Sequence, residues 1–281
     1  MKTPTRQPVL YVTHGGGPCF WITFPEPFGP HAYDGLKAYF AGLLAGLPER
    51  PKAVLMVSAH WEEPVATVST ARAPSMLYDY YGFPPHTYQL QYPAPGSPEI
   101  GMQVQSLLKA AGIPAQTDER RGFDHGVFVP MLIIDAEAKI PVVMLSLRND
   151  LDAAHHLAIG RALTPLRSEG VLIIGSGSSF HNLRTIFQGQ DEASARFDDW
   201  LHETVVRSDP NVRDTRLLEW QAAPSALACH PRAEHLIPLM VAAGAADGDA
   251  GRGSFRDLIG GKPYSCFAFG DSQRVAKHSG V

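Results

Sequence analysis

Short apolar runs alternate along this chain with longer stretches in which apolar residues recur every three or four positions. The runs PVLYVTH (8–14), PKAVLMVSAHW (51–61), IPVVMLSLR (140–148) and VLIIGSGSS (171–179) show no polar alternation. Runs of that length and character predict strands buried on both faces. VATVST (65–70) and SCFAFGD (265–271) predict two more. Helical spacing covers 33–49, where Leu36, Tyr39, Phe40, Leu43, Leu44 and Leu47 share one face and Pro51 follows the end. Segment 97–112 carries its own punctuation: Ser97 to cap it, Pro98 in the first turn and Gly112 to stop it. Helices are also predicted over 125–135, 150–170, 193–206 and 231–246, the last begun by Pro231 and bent at Pro238.

Continuous apolar strands separated by helices predict an α/β fold. The expectation is a single domain over 1–281, with a central mostly parallel or mixed sheet flanked by helices on both faces. A hydrophobic content of 44% supplies a core, and a net charge of −4 without any Lys/Arg run speaks against nucleic acid. The first residues show no apolar segment of a secretory leader, and no run approaches the length of a membrane span. The three cysteines, Cys19, Cys229 and Cys266, are odd in number and far apart, which argues against a zinc ribbon or a disulfide framework. A reducing cytoplasm fits that usage. The oligomeric state is not written in the pattern.

In sheets of this kind the ligand crevice lies outside the carboxyl ends of the strands. Three strands deliver a histidine there: His14 before three glycines, His60 in SAHWE, and His181 after VLIIGSGSSF. Should those strands be neighbours, the imidazoles converge, and a cluster of imidazoles suits a transition metal. The glycines after His14 either admit a substrate or backbone closely or make a tight turn. His125 stands beside Asp124, which could orient its ring, and His235 stands beside Glu234. The remaining histidines, His31, His86, His155, His156, His202, His230 and His278, carry the ordinary structural or surface reading. Glu62 either accepts from a ligand imidazole or is a surface carboxylate, and Arg184 either pairs with a substrate carboxylate or is simply exposed. Tyr78, Tyr80, Tyr81 and Phe83 either line a ring pocket or pack a loop.

The segments THGGGP, SAHWE, YDYYGFPPHTYQLQYPAPGSPE, RGFDHGVFVP, GSGSSFHNLR and HPRAEHLIPLMVAAGAADG occur in this order over nearly the whole chain. In this the sequence resembles the class III (LigB-like) extradiol ring-cleaving dioxygenases, in particular the 4,5-DOPA dioxygenase group. The resemblance implies metal ligation by His14, His60 and His235, an acid/base role for His181 beside the metal, and substrate contact by His125. It departs from the family pattern where Arg232 and Ala233 replace a Thr-Pro pair, and where HGGGPCFW replaces a shorter HGSP. Other branches of the superfamily use two histidines and a carboxylate, so Glu234 stays open as an alternative ligand to His235. Neighbours on a helix diverge by about 100°, which favours one of the two and not both.

The implied activity is Fe(II)-dependent opening of a catechol-type ring with O2, with Zn(II) possible in purified protein. A zinc hydrolase built on the same histidines is one alternative. A catalytically inert binding protein of the superfamily is another, against which all five histidines argue.

Overall fold

In the computed structural model, which describes residues 5–271, the apolar runs are strands and the periodic segments helices. The strands are β1 (Val9–Thr13), β2 (Ala53–Glu63), β3 (Ala66–Ser69), β4 (Ala115–Asp118), β5 (Val142–Arg148), β6 (Val171–Gly177), β7 (Gly251–Ile259) and β8 (Lys262–Phe269). The helices are α1 (Asp34–Gly42), α2 (Pro98–Ala110), α3 (His125–Ile134), α4 (Ala153–Leu163), α5 (Pro165–Ser168), α6 (Glu192–His202), α7 (Pro210–Leu218), α8 (Ala226–Cys229) and α9 (Ile237–Ala246). His278 lies outside the described residues.

All eight strands form one sheet in the order β4-β3-β5-β2-β6-β1-β8-β7. The centre, β5-β2-β6-β1, is parallel. The hairpin β7–β8 returns antiparallel along β1, and β3 meets β5 antiparallel, so the sheet is mixed. β4 (AQTD) and β7 (GRGSFRDLI) escape the sequence reading because both are polar edge strands. Edges carry charge and bulges in place of apolar runs, and β7 has both, with a register shift between Gly253 and Phe255.

The two faces of β6 show how the layers pack. A Cβ on Gly177 would stand 2.1 Å from the carbonyl oxygen of His235, just ahead of α9. Ser176, the next residue along the strand, points the other way. Its hydroxyl donates to the Gly126 carbonyl at the start of α3, at 2.5 Å. The sheet is thus covered on both sides, and α9 is buried along its whole length.

Three helix boundaries differ from the pattern, each at a proline or a turn. The predicted helix 231–246 begins only at Ile237, with Pro238 in its first turn in place of a mid-helix bend. A proline has no N–H to give, and the first turn is where none is required. The predicted helix 150–170 breaks before Pro165, and 33–49 ends at Gly42, followed by a short 3-10 turn at Leu44–Gly46. Buried Arg167 donates to the carbonyls of Ala245 and Ala246 and so caps the carboxyl end of α9.

Several of the other histidines have plain structural duties. His156 is buried, with Nδ1 against the Asp152 carbonyl at 2.7 Å and Nε2 accepting the Arg148 N–H at 3.0 Å, while His155 faces solvent. His202 takes the structural one of its two ordinary readings and turns inward to the Ser265 hydroxyl at 3.0 Å. His230 is enclosed by Phe197 and Trp220, and its Nε2 meets the Ser179 carbonyl at 3.0 Å. Burial pushes its pKa down from 6.5 to about 4.

Two predictions follow from these contacts. Gly177→Ala forces a methyl onto the His235 carbonyl, and a chemical melt should show a loss of about 2–4 kcal/mol, or no folded protein. His230 makes the fold acid-sensitive in a defined window. Its folded pKa is depressed, so the unfolded chain takes up a proton first as pH falls from 6.5 toward about 4. Over that window stability should fall by up to ~3 kcal/mol on this account. Urea melts at pH 7.5 and pH ~5 should show His230→Gln losing less than the parent, because glutamine keeps a donor and does not titrate.

Candidate active site

β2, β6 and β1 lie side by side, so their carboxyl ends open onto one crevice. His14 is the first residue after β1, and its backbone N–H donates to the Gly177 carbonyl at 3.0 Å, carrying the β1–β6 pairing one step further. The chain then leaves through Gly15 (φ +90°) and Gly17 (φ +54°). A Cβ would lie 2.4 Å from Cys19 Sγ at the first and 2.8 Å from the Phe83 ring at the second. The glycines therefore form a tight left-handed turn packed on Cys19 and Phe83.

His60 sits where β2 slips its pairing with β5, between Ser58 and Glu62. A bulge of this kind re-aims a side chain at the end of a strand. The Ser58 hydroxyl accepts the His60 N–H at 3.2 Å. His125 opens α3, and His181 follows β6 with its backbone N–H on the Cys229 carbonyl at 3.0 Å. His235 belongs to the turn before α9 and not to a helix. Its carbonyl is held by the Tyr11 hydroxyl and the Ser178 N–H, both at 2.9 Å.

The five rings converge. His14 Nε2 and His60 Nε2 are 3.2 Å apart, and one ring nitrogen each of His14, His60 and His235 lie within 4.8 Å of one another. The His125 ring centroid is 3.9 Å from that of His60, and the His181 ring stacks on His235 at 3.4 Å. His14 and His235 are nearly sealed from solvent, at 2% and 4% exposure, whereas His60 and His181 border the opening. Burial pushes the pKa values of His14, His60 and His235 well below the ordinary 6.5, and repulsion among the neighbouring imidazoles adds to this. They are neutral near pH 7, the state a metal requires.

This arrangement fits a divalent transition metal. Two nitrogens each ~2.0–2.1 Å from a common ion, at angles between octahedral and tetrahedral, lie roughly 2.8–3.4 Å apart. The His14–His60 separation of 3.2 Å falls within that span. Nδ1 of buried His14 also has no hydrogen-bond partner among the described residues.

The carboxylates are placed differently from the sequence reading. Asp124 does not orient His125: its two oxygens take the Ser58 hydroxyl at 2.8 Å and the Arg121 guanidinium at 2.9 Å. That task falls to Asp79, which the reading passed over among its tyrosine neighbours. Its Oδ1 accepts both the backbone N–H of His125 and Nδ1 of the ring at 2.9 Å, and its Oδ2 lies 3.6 Å from His60 Nδ1. Burial pushes the Asp79 carboxyl up, yet its hydrogen bonds from His125 and the neighbouring imidazoles outweigh it and hold it below its ordinary value. Glu62 does not reach an imidazole; it forms a two-pronged pair with Arg232, one prong at 2.6 Å. Glu234 Oε1 stands 3.0 Å from Nδ1 of both His235 and His181. The two neighbours lie in a turn before α9, not in the predicted helix, and there their side chains meet.

Arg184 is exposed and its side chain forms no ion pair among the described residues. Tyr80 stands edge-on to His125 at 5.8 Å and donates to the Thr87 carbonyl, while Tyr81 points into solvent at 91% exposure. Tyr78 is tied to the Leu90 carbonyl at 2.6 Å, away from a free wall position. Cys19, Cys229 and Cys266 are buried free thiols, and burial raises the pKa of each. A groove of about 750 Å³ beside β7, lined in part by Phe255, Leu258 and Pro263, contains none of the five histidines. Chemistry and not cavity size locates the site. No described helix is long and apolar enough to cross a membrane.

A mixed α/β sheet with imidazoles gathered at its carboxyl ends defines a candidate metal-binding enzyme. The chain belongs to the family described as the catalytic LigB subunit of aromatic ring-opening dioxygenase, which it matches over residues 30–263. His60, His125, His181 and His235 lie inside that range and His14 outside it. A 4,5-DOPA dioxygenase extradiol of Portulaca grandiflora is 44% identical over 206 residues, covering 70% of this chain and 74% of that protein. A protein of the same name from Escherichia coli is 35% identical over 253 residues, 88% of each chain. The dioxygenase tasH of Hapsidospora irregularis is 36% identical over 85% of this chain and 78% of that protein. A crystal structure of an uncharacterized Escherichia coli K12 protein aligns with a TM-score of 0.74 at 29% identity, covering 94% of this chain and 100% of that chain.

His60→Ala should abolish tight metal binding. In chelator competition its affinity should fall by more than the roughly 10–100-fold that loss of an outer partner costs. Exposed His155→Ala should leave it unchanged.

Proposed function

We propose that this protein opens the ring of a catechol-type, DOPA-like substrate with O2, as an Fe(II)-dependent extradiol dioxygenase. The observation that carries this reading is the convergence of three imidazole nitrogens within 4.8 Å, flanked by two further histidines. His14, His60 and His235 would hold the ion. When bound, it would supply charge that acidifies a catechol hydroxyl and a place for both reactants.

The chain's own groups do the rest. His181, with Nδ1 occupied by Glu234, takes the proton of a catechol hydroxyl and returns one as the ring opens. His125, whose Nδ1 is seated on Asp79, would present Nε2 to the substrate oxygens and, in its protonated form, donate to charge that develops there. Tyr80 packs edge-on behind His125 and keeps that ring from turning. His60 and His181 are the more exposed of the five rings, so the aromatic ring would meet them first.

The family and the names of its relatives support ring opening. The substrate and the metal are the parts proposed here. An all-imidazole set also suits Zn(II), and zinc carried through purification would not by itself indicate hydrolysis.

The test is anaerobic loading with Fe(II) or Zn(II), followed by a panel of catechols with O2 uptake and yellow product as readouts. Oxygen-consuming ring opening with Fe(II) alone is expected; turnover of esters or amides with zinc and none of catechols would overturn the reading. His181→Phe should keep its metal and lose on the order of 10²–10⁴ in kcat. A normal rate in that variant would remove the acid/base assignment.

A further inference from the structure

Glu234 is the acidic residue beside the proposed ligand His235. We infer that it is not a metal ligand but a positioning residue that sets the tautomers of His181 and His235 together. The inference rests on the site reading given above.

Its geometry is specific. Oε1 of Glu234 lies 3.0 Å from Nδ1 of His235 and 3.0 Å from Nδ1 of His181. An ionised carboxylate only accepts. The His235 Nδ1–H is hydrogen-bonded to it, and His181 Nδ1 is paired with the same oxygen at 3.0 Å, so a proton on each Nδ1 is favoured and each Nε2 keeps a free lone pair. For His235 that pair is the one left for an ion shared with His14 and His60. For His181 it is the one left to receive a proton. The two rings stack 3.4 Å apart with planes 19° from parallel, so neither turns without moving the other.

The placement of the carboxylate separates it from the proposed seat. Its oxygens group with the nitrogens of His181 and His235, a set that could itself gather around an ion, whereas His14 and His60 join His235 in the set around the proposed ion. Glu234 Oε1 is already hydrogen-bonded to His235 Nδ1. Oε2 is buried without a hydrogen bond among the described residues and faces Arg232 at 3.4 Å, and Arg232 grips Glu62 at the end of the strand that carries His60. The chain Glu62–Arg232–Glu234 links β2 to the turn before α9 and keeps one acceptor between two imidazoles. A shift of His235 on metal binding is thereby felt at His181.

The test uses Glu234→Gln in the full chain. Loaded with Zn(II) and labelled with ¹⁵N, the parent should show Nδ1–H on both His181 and His235 in long-range ¹H–¹⁵N spectra. The variant should show the Nε2–H form on at least one, because an amide offers a single acceptor and a donor. Metal affinity should weaken by about 10–100-fold without being lost. At saturating Fe(II), kcat should fall while KM for a catechol changes less than about threefold. Glu234→Asp, which keeps the charge at shorter reach, should recover part of kcat and covers the case of a misfolded Gln variant. Unchanged tautomers with unchanged kcat would overturn the inference. So would complete loss of metal, which would make Glu234 a ligand. A parent that binds metal but opens no catechol would remove the proposed function, while the tautomer measurement would still decide the role of Glu234.

Discussion

The carbonyl oxygen of His235 is the point on which this architecture depends. It accepts the Tyr11 hydroxyl from β1 and the Ser178 N–H at the end of β6, and it rests on Gly177, where no side chain would fit. Residues 224 positions apart in sequence are fixed to each other there. Without that seat the last histidine would have no reason to meet the first. With it, the turn before α9 is bound to the same two strands that present His14 and lead to His181. A fully buried carbonyl with two donors is also fully satisfied, so the tie carries little desolvation penalty.

Much of the fold was legible because buried parallel strands leave a direct trace. Val9–Thr13, Val142–Arg148 and Val171–Gly177 are buried along nearly every position, and apolar runs are all that such positions tolerate. β4 and β7 left no such trace because an edge strand contributes one side to solvent. The start of α9 was misplaced because the apolar periodicity runs through Leu236 without a break, and only backbone geometry separates the turn from the helix.

The site divides in the same way. The histidines announced themselves as polar residues at the ends of apolar runs, where burial demands a reason. Their carboxylate partners did not. Asp79 lies 46 residues from His125 and joins it only through the fold, while the adjacent Asp124 turns to Ser58 and Arg121. Sequence adjacency misled at Asp124 and was informative at Glu234, and the difference is backbone conformation: Asp124 is extended at the first turn of α3, and Glu234 lies in a turn before α9. The bland reading given to most other histidines stands where backbone partners account for the ring, as at His156 and His230.

The uneven exposure of the five rings has a consequence for traffic. His14 and His235 are nearly sealed from solvent, whereas His60 and His181 keep 20% and 22% of their side-chain surface exposed. An ion held by the proposed set would therefore lie deeper than a planar guest that meets His60 and His181 first. Such a guest would stand in the way of an ion entering or leaving on that side. Resting protein flooded with an aromatic compound would therefore be slow to acquire its ion and, once charged, slow to surrender it.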